Sequence, residues 1–525
     1  MIVRNIIRGS AGSSLQALRP TIRSFKHRSY SSSTTCMPSS STPSSASMLG
    51  TFTNELDKIA PRFEVEGSQI NVLRSPSEFY KTLKTKILNA ERQIFLSTLY
   101  IGKTEHGLMS TLQQALRAKP ELKLSILTDA LRGTREAPNP TTAFLLAPLV
   151  SEFGSERVDV RMYHTPNLTG LRKKYIPERI NEGWGLQHMK LYGVDDEIII
   201  SGANLSNDYF TDRQDRYHVF SSKEITEYFF RIHSAVSSLS FQVVPDAQLP
   251  AGFVLDWPST NSAVSPLADP KKYIAASTSI LNQLIKAQPQ SVSFGSSQRN
   301  TTVYPVSQLS PLLNPDSSTE LPAITTILQT LALPTFKSSS WIFTAGYFNP
   351  DPSLTSLLLS TASTSNTVIT ASPQANGFYG SKGVSGLLPA AYTLLSRRFL
   401  ETAARAKRQD EITLKEWKKG TVNQPDGWTY HAKGLWVSLN GEKEPSISVV
   451  GSSNYTKRSY SLDLEVGTVI VTSDEGLKKR LREERDDLQN YAQEIRMDDF
   501  LKVERRVGLQ VRIAMWIVEM VGGAL

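Results

Sequence analysis

The sequence predicts an α/β fold built from two halves on one plan, and three observations carry that prediction. From about residue 63, apolar strand-like runs alternate with helix-like stretches, the pattern of mixed sheets covered by helices. The same order of elements occurs twice. Each series reaches a His-x-Lys pair, then an apolar run, a glycine, an asparagine and an acid.

Residues 92–102 (RQIFLSTLYIG) read as a buried strand, 107–118 as the following helix, and 122–129 and 158–164 as further strands. The first His-x-Lys strand and the run EIIISG close this series. In the second series, 339–349 is a strand, 352–362 a helix and 366–372 a strand, followed by the second His-x-Lys and SISVVGSSN. The Asp-, Pro- and Ser-rich stretch 245–270 divides the halves, giving 55–245 and 246–475. Residues 476–525 follow: a charged, solvated helix over 482–499, then an apolar tail interrupted by Arg512 and Glu519. That tail forms an amphipathic helix, either buried against the protein or docked on a bilayer surface. No run of about 20 uninterrupted apolar residues exists, so a transmembrane helix is not expected.

Residues 1–54 contain Arg4, Arg8, Arg19, Arg23, Lys26 and Arg28, many serines, and no acid before Glu55. This is the composition of a mitochondrial transit peptide ending in a Ser-rich linker, and the apolar run of a secretory signal is missing. The formal charge is +9; without those six basic residues, 52 Lys and Arg face 49 acids, about +3. A nucleic-acid partner is therefore not supported. The single cysteine, Cys36, lies in the leader, which leaves the mature chain without disulfides or thiolate ligands and suits a reducing compartment.

Residues i and i+2 of a strand share a face, so His188 and Lys190 project together, as do His431 and Lys433. Asn204 and Asn454 lie 16 and 23 residues past the histidines, and an acid, Asp215 or Glu465, stands eleven residues past each asparagine. The longer second spacing reads as a lengthened hairpin loop, which costs little. His106, His218 and His233 lack this context and read as structural or surface residues. Two imidazoles and two ammonium groups converging on one point suit phosphoryl transfer. One imidazole attacks phosphorus while the other gives and takes protons. The lysines and asparagines hold the non-bridging oxygens, and an acid fixes each imidazole's tautomer. This chemistry needs no cofactor, and no metal-ligand cluster is visible.

The two segments resemble the phospholipase D superfamily signature H-x-K-x4-D-x6-G-S-x-N. His188, Lys190 and Asp195 match the first copy, with a Gly–Asn segment one residue short. In the second copy Ser438 stands at the aspartate position beside His431, Lys433, Gly451, Ser452 and Asn454. Asp195 falls where a hairpin turn is expected, off the face of His188 and Lys190. Longer stretches, 164–217, 371–393 and 427–436, resemble the mitochondrial phosphatidylglycerophosphate synthases of eukaryotes.

The resemblance implies two duplicated α-β-α halves with mixed sheets and one active site at their pseudo-twofold interface. It implies transfer of a phosphatidyl group from CDP-diacylglycerol to glycerol 3-phosphate, peripherally on the matrix side of the inner mitochondrial membrane. The roles it implies are His188 as nucleophile, His431 as acid and base, and Lys190, Lys433 and Asp195 as their catalytic companions. Asn204, Asn454, Asp215 and Glu465 would support them. It also suggests a nucleotide contact at Gly102, Lys103 and Thr104, which look like the end of a P-loop; its earlier glycine is absent, and a strand-end turn is the competing reading. Lys173, Lys174, Arg179 and Arg216 are basic groups near the first motif, candidates for phosphate or ordinary surface charge. Another lipid alcohol or water as acceptor, a nuclease of the superfamily and an inactive scaffold are the alternatives; oligomeric state is open.

Overall fold

Two nine-stranded mixed sheets carry the molecule, as seen in a computed structural model that describes residues 45–176, 181–287 and 299–520. All of them belong to the unit Ser44–Leu525. The expected leader, with Cys36, lies outside the described residues up to residue 44, as does Arg179.

From one edge, the first sheet runs Phe253–Asp256, Phe241–Pro245, Val158–Tyr163, Lys123–Asp129, Gln93–Ser97, Leu191–Val194, Glu197–Ser201, Tyr217–Ser221 and Ile70–Leu73. The second runs Ala492–Ile495, Ile412–Trp417, Asn366–Ala371, Ser340–Ala345, Lys433–Ser438, Ile447–Gly451, Glu465–Thr472, Thr301–Gln308 and Phe63–Val65. The eight strands from Phe241–Pro245 to Ile70–Leu73 match the eight from Ala492–Ile495 to Thr301–Gln308 in order and direction. In each series three neighbouring strands are parallel and every other pairing is antiparallel. The duplication expected from the two His-x-Lys series is thus present strand by strand.

Helices cover both faces of both sheets, which is why strands such as Glu465–Thr472 are buried at every position instead of alternating. Pro76–Leu88, His106–Ala118 and Thr142–Phe153 pack on the outer face of the first sheet. Ser45–Leu56, Glu320–Leu331 and Pro352–Ser360 pack on that of the second. Between the sheets lies one continuous apolar core holding residues of both, among them Phe95, Ile200, Ile369 and Trp436. Lys223–Ser237, Pro270–Ile285 and Glu475–Gln489 fill it.

Three boundaries differ from the sequence reading. The 1–54 leader segment ends in a core helix: Met48, Phe52 and Leu56 recur at helical spacing inside a serine-rich stretch and bury against Ile324 and Phe336. The division at 245 cuts a hairpin of the first sheet, while Phe63–Val65, assigned to the first half, pairs with Thr301–Gln308 of the second. The charged segment after 475 is not simply solvated. Its helix buries Leu477, Leu481 and Leu488, and Ala492–Ile495 forms an edge strand of the second sheet.

Glu484 on that helix explains why so charged a helix docks inward. Its carboxylate accepts two hydrogen bonds from Arg216, at 2.9 Å each, one from His218 at 3.0 Å and one from the Trp436 indole at 3.0 Å. Arg216 also donates to the Val449 carbonyl at 2.7 Å and stacks on the Trp436 ring. One buried carboxylate therefore joins a strand of the first sheet to the second. Burial disfavours its charge, but Arg216 and His218 outweigh that and hold the Glu484 carboxyl down to about 2.

Glu484→Ala leaves a buried guanidinium uncompensated, and denaturant unfolding should register a loss of about 3–5 kcal/mol. Because the folded carboxyl titrates below its ordinary 4.5, its stabilisation is present above that pH and is lost as pH falls towards about 2. The variant's stability should therefore depend less on pH than the parent's over that interval.

Candidate active site

Each histidine of the repeated motif is held by the other half. The His188 backbone N–H donates to the Leu464 carbonyl at 2.9 Å, and the His431 N–H to the Gln214 carbonyl at 2.8 Å. Those carbonyls belong to the residues just before Glu465 and Asp215, so the backbone pairing brings each acid onto the opposite imidazole. His188 Nδ1 lies 2.8 Å from Glu465, and His431 Nδ1 2.6 Å from Asp215. Ser452 donates a further hydrogen bond to Glu465. With Nδ1 donating to Glu465, the His188 ring leaves Nε2 for another partner, whereas at His431 Lys433 Nζ also approaches the ring, 2.7 Å from Nδ1 and 3.3 Å from Nε2.

The lysines fall where the strand period puts them. Lys190 Nζ donates to the His188 carbonyl at 2.7 Å and Lys433 Nζ to the His431 carbonyl at 2.8 Å, and Lys433 stands 3.6 Å from Asp215. Each histidine also feels the lysine of the other half. Gly202 makes this approach possible. A Cβ there would lie 2.7 Å from Asp215 Oδ1 and 2.9 Å from Lys433 Nζ. Gly185, at φ +119°, lets the chain entering the first motif pass the Leu462 carbonyl.

Burial sets the electrostatics. It pushes Glu465 up to about 7 against the pull of Lys190 and Ser452, and raises Asp215 against Lys433. Burial, reinforced by the neighbouring lysine, holds both imidazoles well below their ordinary range, and burial lowers both ammonium groups. Both imidazoles are thereby biased towards the neutral form, the form in which a ring nitrogen can attack or take a proton.

The two dyads are not equivalent. His431 Nε2 is bonded to the Tyr209 hydroxyl at 3.2 Å, and its ring sits edge-on to both Tyr209 and Tyr347. Tyr209 in turn accepts from Asn204 Nδ2 at 3.3 Å. Ser459 occupies the position of Tyr209 in the other half, and His188 Nε2 has no hydrogen-bond partner among the described residues. Asn454 Oδ1 is likewise unpaired there.

A protein of Saccharomyces cerevisiae named CDP-diacylglycerol–glycerol-3-phosphate 3-phosphatidyltransferase is 46% identical to the chain over 476 residues, covering 89% of this chain and 91% of that one. The chain belongs to this phosphatidyltransferase family. A Gallus gallus protein of the same name, further described as mitochondrial, is 34% identical over 504 residues, covering 91% and 87%. No family model matches. Among solved structures, phosphatidylserine synthase of Haemophilus influenzae Rd KW20 superposes with a TM-score of 0.66 at 18% identity, over 90% of this chain and 97% of that one. That likeness is one of fold, and it agrees with the duplicated phospholipase D-like architecture.

In this member of the phosphatidyltransferase family, Asp195 lies away from the imidazoles. It sits at φ +50° in the turn beyond Leu191–Val194, and its carboxylate accepts from the backbone N–H groups of Glu91, Arg92 and Gln93 at 2.8, 2.8 and 3.1 Å. It fixes the entry to strand Gln93–Ser97. In the second half Ser438 does not reach the equivalent loop; Asn440 does, accepting from Ser339 and donating to the Thr335 carbonyl. The longer hairpin carries the anchor two residues on, so the missing aspartate costs the second half nothing in architecture.

The other basic candidates divide. Arg216 is committed to Glu484. Lys173 lies 3.3 Å from His164 Nε2, and Lys174 lies over the Tyr175 ring. Gly102, Lys103 and Thr104 line a cavity of about 310 Å³, but they do not build a phosphate-binding loop. Gly102 N–H is spent on the Leu205 carbonyl and Glu105 N–H on that of Gly102, while Glu105, Glu136 and Asp208 add negative charge to the cavity.

Sequence reasoning passed over Arg213 and Arg458. Aligning the halves on their asparagines sets Asp208 against Arg458 and Arg213 against Asp463, and both pairs are ion pairs, at 3.1 and 2.9 Å. The same two positions exchange their charges between halves. That exchange was readable in the sequence once the repeat was aligned.

Asp195→Ala should lower the unfolding free energy by about 0.5–1.5 kcal/mol, the worth of hydrogen bonds to donors that water can reach once the carboxylate is gone. Turnover per folded molecule should stay close to wild type. Melting curves and specific activity check this, and a loss of turnover matching that of His188→Ala at unchanged stability would return Asp195 to the site.

Proposed function

We propose that this chain transfers the phosphatidyl group of CDP-diacylglycerol to glycerol 3-phosphate, giving phosphatidylglycerophosphate and CMP, through a phosphatidyl-histidine on His188. The pair of cross-half histidine–carboxylate dyads carries the reading, and family membership supports the choice of substrates. The free Nε2 of His188 supports its role as nucleophile. It attacks the diacylglycerol-linked phosphorus, the bond to the CMP oxygen breaks, and CMP departs. Glu465 stabilises the positive charge gained by the ring. Lys190 and Lys433 neutralise the non-bridging oxygens in the transition state.

In the second step the glycerol hydroxyl takes the place of the Tyr209 hydroxyl at His431 Nε2. His431 removes its proton, the alkoxide oxygen attacks phosphorus, the P–N bond breaks, and His188 leaves neutral. Asp215 stabilises the imidazolium formed. Asn204 acts through Tyr209, keeping that hydroxyl in place until the acceptor arrives.

The chain is mitochondrial, as its relatives of Gallus gallus and Mus musculus are described. No helix among the described residues is long and apolar enough to cross a membrane. A peripheral position on the matrix face of the inner membrane suits a lipid substrate and a leader of transit-peptide composition.

The two steps place different demands on His431. CMP leaves as a phosphate monoester whose second pKa is about 6 and needs little protonation, whereas the glycerol hydroxyl must lose a proton to attack. His431→Ala should therefore release up to one equivalent of CMP and stall with lipid on His188, seen as a mass increment on the peptide containing that residue. His188→Ala should release none. Lipid recovered on His431 instead would reverse the roles, and full turnover in either variant would refute the two-half site.

Glu465→Gln should lower kcat by about 10²–10⁴-fold without unfolding the chain, because an amide can hold the wrong imidazole tautomer. Asp215→Asn should do the same and, acting through His431, should also accumulate the lipidated enzyme. Stopped-assay CMP release with intact-protein mass spectrometry separates the two effects.

A further inference from the structure

The C-terminal helix Leu509–Met520 is apolar on two opposite faces. Val511 and Met515 are buried in a small apolar cluster with Ala391 of helix Leu388–Arg405. Leu509, Ile513 and Trp516, at i, i+4 and i+7, form a stripe on the other side and are 72%, 49% and 56% exposed. An apolar helix face is ordinarily covered, and here only one of the two has found its cover. Beside the open stripe is a cavity of about 380 Å³ lined by Arg397, Leu501, Arg505, Arg506 and Arg512 together with other residues. Arg505 is neutralised by Glu416 and Arg397 by Glu401. Arg506 and Arg512 form no ion pair among the described residues, leaving positive charge at the edge of the apolar stripe.

We propose that this surface docks on a bilayer containing anionic phospholipid: Leu509, Ile513 and Trp516 enter the interface, and Arg506 and Arg512 hold a lipid phosphate at the cavity mouth. The inference rests on the proposed lipid substrate. An exposed tryptophan beside aliphatic residues suits the headgroup boundary, and unpaired arginines next to them suit negative lipid charge. The position fits as well. Tyr392, next to Ala391 on the same helix, stacks on Tyr347 at 5.6 Å, and Tyr347 lies edge-on to His431 at 5.4 Å. Helix Leu388–Arg405 thus joins the docking surface to the catalytic imidazole, and a bilayer seated on one side would present its lipid headgroups to the other.

The test uses the full chain and two variants, Arg506→Glu with Arg512→Glu, and Leu509→Ser with Ile513→Ser and Trp516→Ser. Cosedimentation with phosphatidylcholine vesicles, with and without phosphatidylglycerol, measures docking. Turnover of CDP-diacylglycerol is measured both in those vesicles and dispersed in detergent micelles. Wild type should prefer the anionic vesicles. Each variant should bind them at least about tenfold more weakly and lose turnover on vesicles in step, with wild-type turnover in micelles. Undiminished vesicle binding by either variant, or equal binding of wild type to both vesicle types, would overturn the docking surface. A wild type inactive in micelles as well as vesicles would instead refute the proposed reaction and leave the binding result standing.

Discussion

The exchange of carboxylates across the pseudo-twofold is the constraint on which the rest of the structure depends. Neither half contains a finished dyad. His188 would face water without Glu465, and Glu465 would be a buried carboxylate with no imidazole to accept from. An uncompensated buried charge is expensive, so the site holds the halves in register as firmly as the halves hold the site. The backbone bonds from His188 to Leu464 and from His431 to Gln214 fix that register before any side chain is considered. Gly202 and Gly185 follow from it, because side chains at those positions would occupy the space through which the halves meet.

The same interface makes two similar dyads structurally different. A strict twofold would give two identical imidazoles and no division between nucleophile and base. Here one tyrosine breaks the equivalence: Tyr209 occupies His431 Nε2, and its counterpart Ser459 leaves His188 open. The exchanged ion pairs add to this. Arg213 is two residues from the acid of its half, whereas Arg458 is seven residues from the other acid and Asp463 takes the nearer place. Duplication supplies the scaffold, and substitutions at a few matched positions make the two dyads different.

Much of this was legible in the sequence because it was written twice. The repeated order of elements along the chain, the shared face of His188 with Lys190 and of His431 with Lys433, and the pairing of an acid, Asp215 or Glu465, with the motif all follow from period-two geometry and a repeated spacing. The crossing of acids between halves did not follow, since a single strand's pattern says nothing about which partner it will meet. Asp195 is where motif and geometry pull apart, and the expected hairpin turn is where it lies. Its motif membership suggested chemistry, but a residue five positions past Lys190 on a four-residue strand is already in the turn, where a short acid capping three N–H groups is the commoner use. The helix Glu475–Gln489 misled for another reason. Composition averages over all faces, and a helix so charged overall can still bury Leu477, Leu481 and Leu488 on one side and a single glutamate that two basic side chains require.

Arg216 ties these observations together. By sequence it was one of four basic groups near a phosphate-handling motif, and it directly follows Asp215. In the fold its guanidinium is buried, turned away from the imidazoles and saturated by Glu484, Ser448 and the Val449 carbonyl. Asp215 and Arg216 form the two-residue link between the strands Arg213–Gln214 and Tyr217–Ser221, and their side chains diverge there: the acid bonds to His431 and the arginine to Glu484. One residue of the link reaches the His431 imidazole and the next serves cohesion between the halves. A substitution that loosens Arg216 would therefore reach Asp215 through the backbone and disturb His431 without touching it.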